Sequence, residues 1–171
     1  MTEMLTSAAP ASPPQAQEGS GSLARDLRRL VDYGVWANLQ WVDCVYAQPE
    51  PEERPRELLG HLVAGDRAWL ERIEGEQRTT ALFPILSRPE LAQGFADNAE
   101  TTRRLIESRL EDVVHFRRAT GEEYHARVAD ILFHLVTHGY HHRGQLAAHY
   151  ARAGVSYPNT DHINFLIRNR L

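Results

Sequence analysis

Residues 127–153 read RVADILFHLVTHGYHHRGQLAAHYARA, and this stretch decides the fold. Projected at ~100° per residue with His138 at zero, Ile131 falls near ~20°, Leu135 near ~60°, Leu146 near ~80°, and Leu132 and Tyr150 near ~120°. The apolar stripe therefore centres near ~70°, the pattern of a long helix with one face against a core. Gly154 is placed to end it as a C′ residue, and Pro158 closes the loop beyond. A single amphipathic helix of this length must bury its stripe against other helices, so the flanking sequence is read for partners.

Upstream, Val114, Phe116 and Arg118 alternate with their neighbours, Thr120-Gly121 offers a turn, and Tyr124, Ala126 and Val128 alternate after it. This predicts a short β-hairpin at about 113–126. Before it, Ser87-Arg88-Pro89-Glu90 has the spacing of a capping box and starts a third helix that runs to about Leu110. A second helix is expected from Pro55 to about Gly75, with a loop at 76–87. A first runs from Ser22 to Tyr46, on the recurrence of Leu23, Leu27, Val31, Trp41 and Val45. A short last helix covers about 160–169. Residues 1–21, rich in Ala, Ser, Pro and Gly, are expected to be a disordered tail ahead of one domain at 22–171. The fold class is all-α: an antiparallel four-helix bundle with a small β-hairpin between the third and fourth helices.

Composition narrows the chemistry. The chain has 171 residues and a net charge of −4, which gives no electrostatic footprint for nucleic acid or an anionic membrane. All 19 basic residues are Arg, which excludes Schiff-base and Walker-A lysine chemistry. The one cysteine, Cys44, excludes an intrachain disulfide and a cysteine-based zinc cluster, and points to a cytoplasmic protein. No apolar run is long enough for a signal sequence or a transmembrane span. Against these absences stand nine histidines, six of them between residues 134 and 162.

The helical wheels sort them. His142 at ~40° lies inside the apolar stripe and His138 at its edge, while His134 near −40° and His141 near −60° lie roughly further out. On the second helix His61 sits at the edge of a stripe made by Leu58, Leu62, Trp69 and Ile73. Three imidazoles from two helices thus face one interior. A divalent metal satisfies such a set, and three nitrogen ligands leave a position open for water or substrate. Zn, Ni, Fe and Mn all suit nitrogen ligands. Two other readings stand beside this one: His61 as a satisfied core histidine, and His134/His138 as the helical pair in place of His138/His142.

The motifs go beyond spacing. Tyr33-Gly34-Val35-Trp36-Ala37-Asn38, the segment His61-Leu62-Val63-Ala64-Gly65-Asp66-Arg67-Ala68-Trp69-Leu70, and His138-Gly139-Tyr140-His141-His142-Arg143-Gly144-Gln145 together resemble the DinB/YfiT-like superfamily. The resemblance covers about 22–171. It implies a four-helix bundle, commonly a homodimer, with a divalent metal held by His61, His138 and His142, and so favours His138/His142 over His134/His138. It also implies a small-molecule substrate. Relatives include S-transferases and isomerases that use low-molecular-weight thiols, and proteins described as metal-dependent hydrolases. The expected function is a metal-dependent enzyme that uses an activated thiol or water. The alternative is a non-catalytic metal- or ligand-binding protein of the stress response. No general acid or base is assigned. Arg143 is read as a solvated or interface arginine ahead of a substrate anchor, and Asp66 as a helix-surface or capping residue ahead of a base or a residue that orients a ligand histidine. Gln145 is read as a neighbour of the site, and Trp36, Trp41 and Trp69 as core.

Overall fold

The computed structural model describes the backbone of residues 16–76, 81–117 and 121–171, and side chains from residue 21 onward. Its elements are α1 (Ala16–Tyr46), α2 (Glu53–Ile73), α3 (Arg88–Ser108), β1 (Val113–Arg117), β2 (Glu123–Arg127), α4 (Val128–Arg152) and α5 (His162–Asn169). The fold is mostly helical, with one two-stranded antiparallel hairpin.

Local chemistry accounts for most boundaries. At the start of α3 the Glu90 carboxylate accepts from the Ser87 backbone N–H at 2.7 Å, as the capping-box spacing requires, and also from the Ser87 hydroxyl at 2.6 Å. The hairpin pairs Val113 with Arg127 through to Arg117 with Glu123, and Gly121 takes φ +88°. Thr120, expected in the turn, lies outside the described residues. β2 runs straight into α4, which has no side-chain cap. Instead the N–H groups of Val128 and Ala129 donate to the carbonyls of Asp112 and Leu110 at 2.9 and 3.0 Å. The segment leading into the hairpin therefore caps the helix leading out of it. α4 ends in a Schellman motif: Gly154 has φ +67°, its N–H meets the Ala151 carbonyl, and the Val155 N–H meets that of Tyr150.

One start differs from expectation. α1 begins at Ala16, six residues ahead of Ser22. Extending an existing helix adds one hydrogen bond per residue and needs no new nucleus, so residues of poor propensity are recruited onto a stable end. The rest of the expected tail lies outside the described residues.

α1 packs mainly on α3, α2 on α3 and α4, and α4 also on α1. Buried apolar side chains form two clusters at opposite ends of these helices. One gathers Leu27, Leu70, Ile73, Leu105, Val128 and Leu132. The other gathers Trp41, Val45, Leu59, Leu62, Leu91 and Leu146. Each buried leucine contributes roughly 1.5–3 kcal/mol. Exposed ion pairs such as Arg103–Asp32, at 2.6 Å between α3 and α1, contribute roughly 0–1 kcal/mol, so the clusters dominate. Tyr33, Ala37 and Phe165 dock α5 on α1.

Between the two clusters lies a polar layer. Asn38, Asn98, Thr102, His142 and Arg143 are the buried polar residues, and all fall at this level of their helices. Burying them requires partners. Asn98 Nδ2 donates to the Val63 carbonyl, and Thr102 Oγ1 donates to that of Asn98. Arg143 donates to Asn38 Oδ1 at 2.8 Å and to the Tyr33 hydroxyl at 3.2 Å. The histidines sit at the edge of this layer. No helix among the described residues is long and apolar enough to cross a membrane.

Candidate metal centre

His61 on α2 and His138 and His142 on α4 meet, with one ligand nitrogen of each within 4.8 Å of the others. His138 Nε2 is 3.2 Å from His61 Nε2 and 3.0 Å from His142 Nε2. The i, i+4 spacing stacks the two α4 rings along one face, and the contact of α2 with α4 supplies the third. His134 is exposed, lies against Trp69 with ring centroids 5.2 Å apart, and is not in the set.

The far nitrogens define the protonation of the near ones. His61 Nδ1 is 2.7 Å from the Leu82 carbonyl, so Nδ1 carries the proton and Nε2 presents a lone pair. His142 Nδ1 donates in the same way to Gln145 Oε1 at 2.9 Å. Gln145 Nε2 in turn donates to His141 Nε2 at 3.0 Å, which agrees with that amide orientation. His138 Nε2 therefore faces two lone pairs. It can carry one proton at most, so at most one of the two short contacts is a hydrogen bond. A shared cation satisfies all three nitrogens. Metal–nitrogen bonds of about 2.0–2.1 Å at tetrahedral angles separate ligating nitrogens by roughly 3.3 Å, close to the two distances from His138 Nε2 of 3.2 and 3.0 Å. The donor set fits a divalent ion.

Leu82 and Phe83, on the segment that follows α2, complete the wall. The Phe83 ring stacks on His61, with centroids 4.2 Å apart and an interplanar angle of 7°. The sequence pattern contained no signal for this contact, because a loop residue 22 positions away has no periodic relation to a helix. Two other expectations are corrected. Arg143 is neither solvated nor at an interface: it is 5% exposed and lies between the Tyr33 and Tyr140 rings. Asp66 is not a surface or capping residue, because it lies in the middle of α2 with Oδ1 out of reach of solvent. Of the three tryptophans, Trp41 is fully buried, while Trp36 and Trp69 are part-buried at cluster margins.

Electrostatics follow burial. Desolvation, reinforced by His142 and His61, pushes the His138 imidazole down from 6.5 to about 4. Burial also lowers His142, against the hydrogen bond to Gln145. Both rings thus stay neutral, the form that ligates, below the usual histidine range. Burial raises the Asp66 carboxyl to about 7, against the pull of Arg143.

These shifts have opposite signs in stability. Between pH 6.5 and about 4 the unfolded chain binds a proton at residue 138 that the folded chain does not, so acidification removes the His138 contribution. Between about 3.8 and 7 the folded chain holds a proton on Asp66 that the unfolded one has lost, so that contribution falls as pH rises. The expected result is a metal-free melting curve that varies less with pH than either group alone dictates. Measured against His138→Ala, wild type loses stability as pH falls from 6.5 toward 4. Thermal melts of both proteins in chelator across that range check it, and wild type gaining on the variant upon acidification contradicts it.

A mostly helical chain whose packed helices bring three imidazoles to one point belongs to the class of helical proteins with a possible metal site. The chain matches the family model of the DinB family over residues 48–169 and belongs to that family. It is 24% identical over 162 residues to Protein DinB of Bacillus subtilis (strain 168), a match spanning 83% of this chain and 94% of that protein. The resemblance carried by the His61 and His138–Gln145 motifs is borne out. Tyr33–Asn38 precedes the segment matched by the family model.

Proposed function

We propose that His61, His138 and His142 hold one divalent ion, Zn, Ni, Fe or Mn, and that the protein is a metal-dependent enzyme. It transfers a low-molecular-weight thiol to a small electrophilic substrate or hydrolyses one. The convergence of three Nε2 atoms, two of them committed to lone pairs by Leu82 and Gln145, is the observation that carries this reading. A bound divalent ion lowers the pKa of a coordinated thiol or water and supplies the nucleophile that a chain without lysine and with only Cys44 lacks. Cys44 is a poor substitute, since burial pushes its thiol up.

The residues of the chain do the rest. Leu82 and Gln145 fix the tautomers and planes of two ligand rings, and Phe83 keeps water from one face of His61. We read residues 22–171 as one domain in which α1–α4 form a four-helix bundle, supported by the cycle of contacts α1–α3–α2–α4–α1. We also propose that it assembles as a homodimer in the cytoplasm, without nucleic-acid or membrane partners.

Elemental analysis of the purified protein tests the site, and turnover tests the activity. The expected result is one equivalent of a divalent ion, lost in His61→Ala. Turnover is expected with thiols plus electrophiles, or with simple esters and amides, and it too is lost in His61→Ala. Failure to take up any stoichiometric ion overturns the metal reading. One bound equivalent with no turnover across both substrate panels replaces the enzyme by a non-catalytic metal-binding protein.

A further inference from the structure

Two of the three ring histidines have their far nitrogen tied, and the third does not. His61 Nδ1 meets the Leu82 carbonyl at 2.7 Å and His142 Nδ1 meets Gln145 Oε1 at 2.9 Å. His138 Nδ1 is buried with no hydrogen-bond partner. Yet His138 is the ring whose Nε2 touches both of the others. A ring free to turn about its χ2 at that position leaves the shared point poorly defined.

The missing partner is at hand. Asp66 Oδ1 lies 4.0 Å from His138 Nδ1, and it too is buried with no hydrogen-bond partner. Two orphaned polar atoms of complementary type, one donor and one acceptor, face each other across a gap about 1 Å too long for a hydrogen bond. A buried donor and a buried acceptor left unpaired are each destabilising, the more so for a charged group, so closing the gap is favoured.

Three features make closure possible. Gly65 presents no side chain to the ring: a Cβ there would stand 3.1 Å from His138 Cε1. The ring therefore lies against the α2 backbone through Cε1, the carbon between its nitrogens, which directs Nε2 toward His61 and leaves Nδ1 on the Asp66 side. Asp66 also borders a small cavity of about 70 Å³ shared with Asn38, Asn98 and Thr102, so its carboxylate is not wedged in place. Arg143, the neighbouring cation, attracts Asp66 electrostatically, but no ion pair within 4.0 Å joins them among the described residues.

We propose that Asp66 is the positioning partner of His138. Its Oδ1 accepts the His138 Nδ1–H and holds the Nε2 lone pair on the point shared with His61 and His142. The ligand set then has two neutral supports, a backbone carbonyl and a side-chain amide, and one anionic one. Carboxylate–histidine pairing raises the basicity of the ligating nitrogen, and loss of such a partner typically weakens metal binding about 10–100-fold. The inference rests on the metal-site reading above.

The test is a zinc titration of the full chain at neutral pH, in competition with a chromophoric chelator. Asp66→Ala is expected to weaken zinc binding about 10–100-fold. Asp66→Asn keeps a carbonyl acceptor at the same place and is expected to fall between Ala and wild type. That graded rescue separates positioning from a merely structural role. Nitrogen-15 NMR of zinc-loaded wild type is expected to show a slowly exchanging Nδ1–H on His138, displaced in Asp66→Asn. Wild type that binds no zinc overturns the metal site itself. Wild type that binds one equivalent while Asp66→Ala binds with the same affinity overturns only the role of Asp66. Should the Ala variant fail to fold, absence of the His138 Nδ1–H signal from zinc-loaded wild type overturns it equally.

Discussion

Replacing His138 with alanine weakens divalent-metal binding by more than about 100-fold, beyond the loss expected of any supporting residue. His138 is the hub of the cluster, since its Nε2 lies 3.2 Å from His61 and 3.0 Å from His142. Its removal leaves only two nitrogens, from two different helices, to hold the ion. Above pH 6.5 the same substitution has little effect on the metal-free fold. His138 belongs to neither apolar cluster, and taking it away relieves a contact in which two lone pairs face each other. His134→Ala, one turn away on the same helix, leaves affinity unchanged because that ring points to Trp69. Chelator competition on the three proteins checks the pair. Equal binding by wild type and His138→Ala, or a loss in His134→Ala, contradicts the assignment.

Gly60→Ala is expected to damage stability and site together. A Cβ at position 60 would stand 1.7 Å from the Pro84 carbonyl oxygen and 2.9 Å from its carbon. Both are backbone atoms, so no rotamer change relieves the overlap, and the segment around Pro84 must lift off α2. That segment carries the Leu82 carbonyl that fixes the His61 tautomer and the Phe83 ring that stacks on His61. The cost is about 3 kcal/mol, at the upper end of ordinary overpacking, or roughly 6–12 °C in melting temperature for a chain of this size. Metal affinity falls with it by about 10-fold or more, as for other losses of a supporting contact. Gly144→Ala is the control. It is exposed on α4 with nothing within 4 Å of the new Cβ, and helix propensity makes it neutral or stabilising by roughly 0.5–1 kcal/mol. Thermal melts and a zinc titration of both variants check the contrast. A Gly60→Ala protein that melts and binds like wild type means the segment does not lie on α2 as described.

The elements were legible wherever the signal is local. Period 3.6 marked the four long helices, period 2 marked the hairpin, and Ser87 with Glu90 marked the start of α3, because each is set by contacts within a few residues. The start of α1 was misplaced by six residues, since the extension of a helix depends on the stability already present and not on the residues added. The convergence of His61 with His138 and His142 was legible on wheels because each helix carries its own apolar stripe, and the stripes share one core.

Of what surrounds the histidines, Gln145 was legible, one turn from His142 on the same helix, and the rest was not. Arg143 looks like a surface residue in sequence, and only its contacts with Asn38 and Tyr33 from α1 make its burial tolerable. Asp66 reads in sequence first as a helix-surface carboxylate, and only the packing of α4 sets His138 Nδ1 4.0 Å away from it. Leu82 and Phe83 come from a loop, where no period fixes direction. The sequence by itself determined which segments are helical, which face of each is apolar, and which histidines share that face, because these depend on the chain within a turn or two. The tertiary structure alone decided what lies against His61 and His138, because a contact between Asp66 and His138, or between the Leu82 carbonyl and His61, depends on how the helices and loops pack against one another.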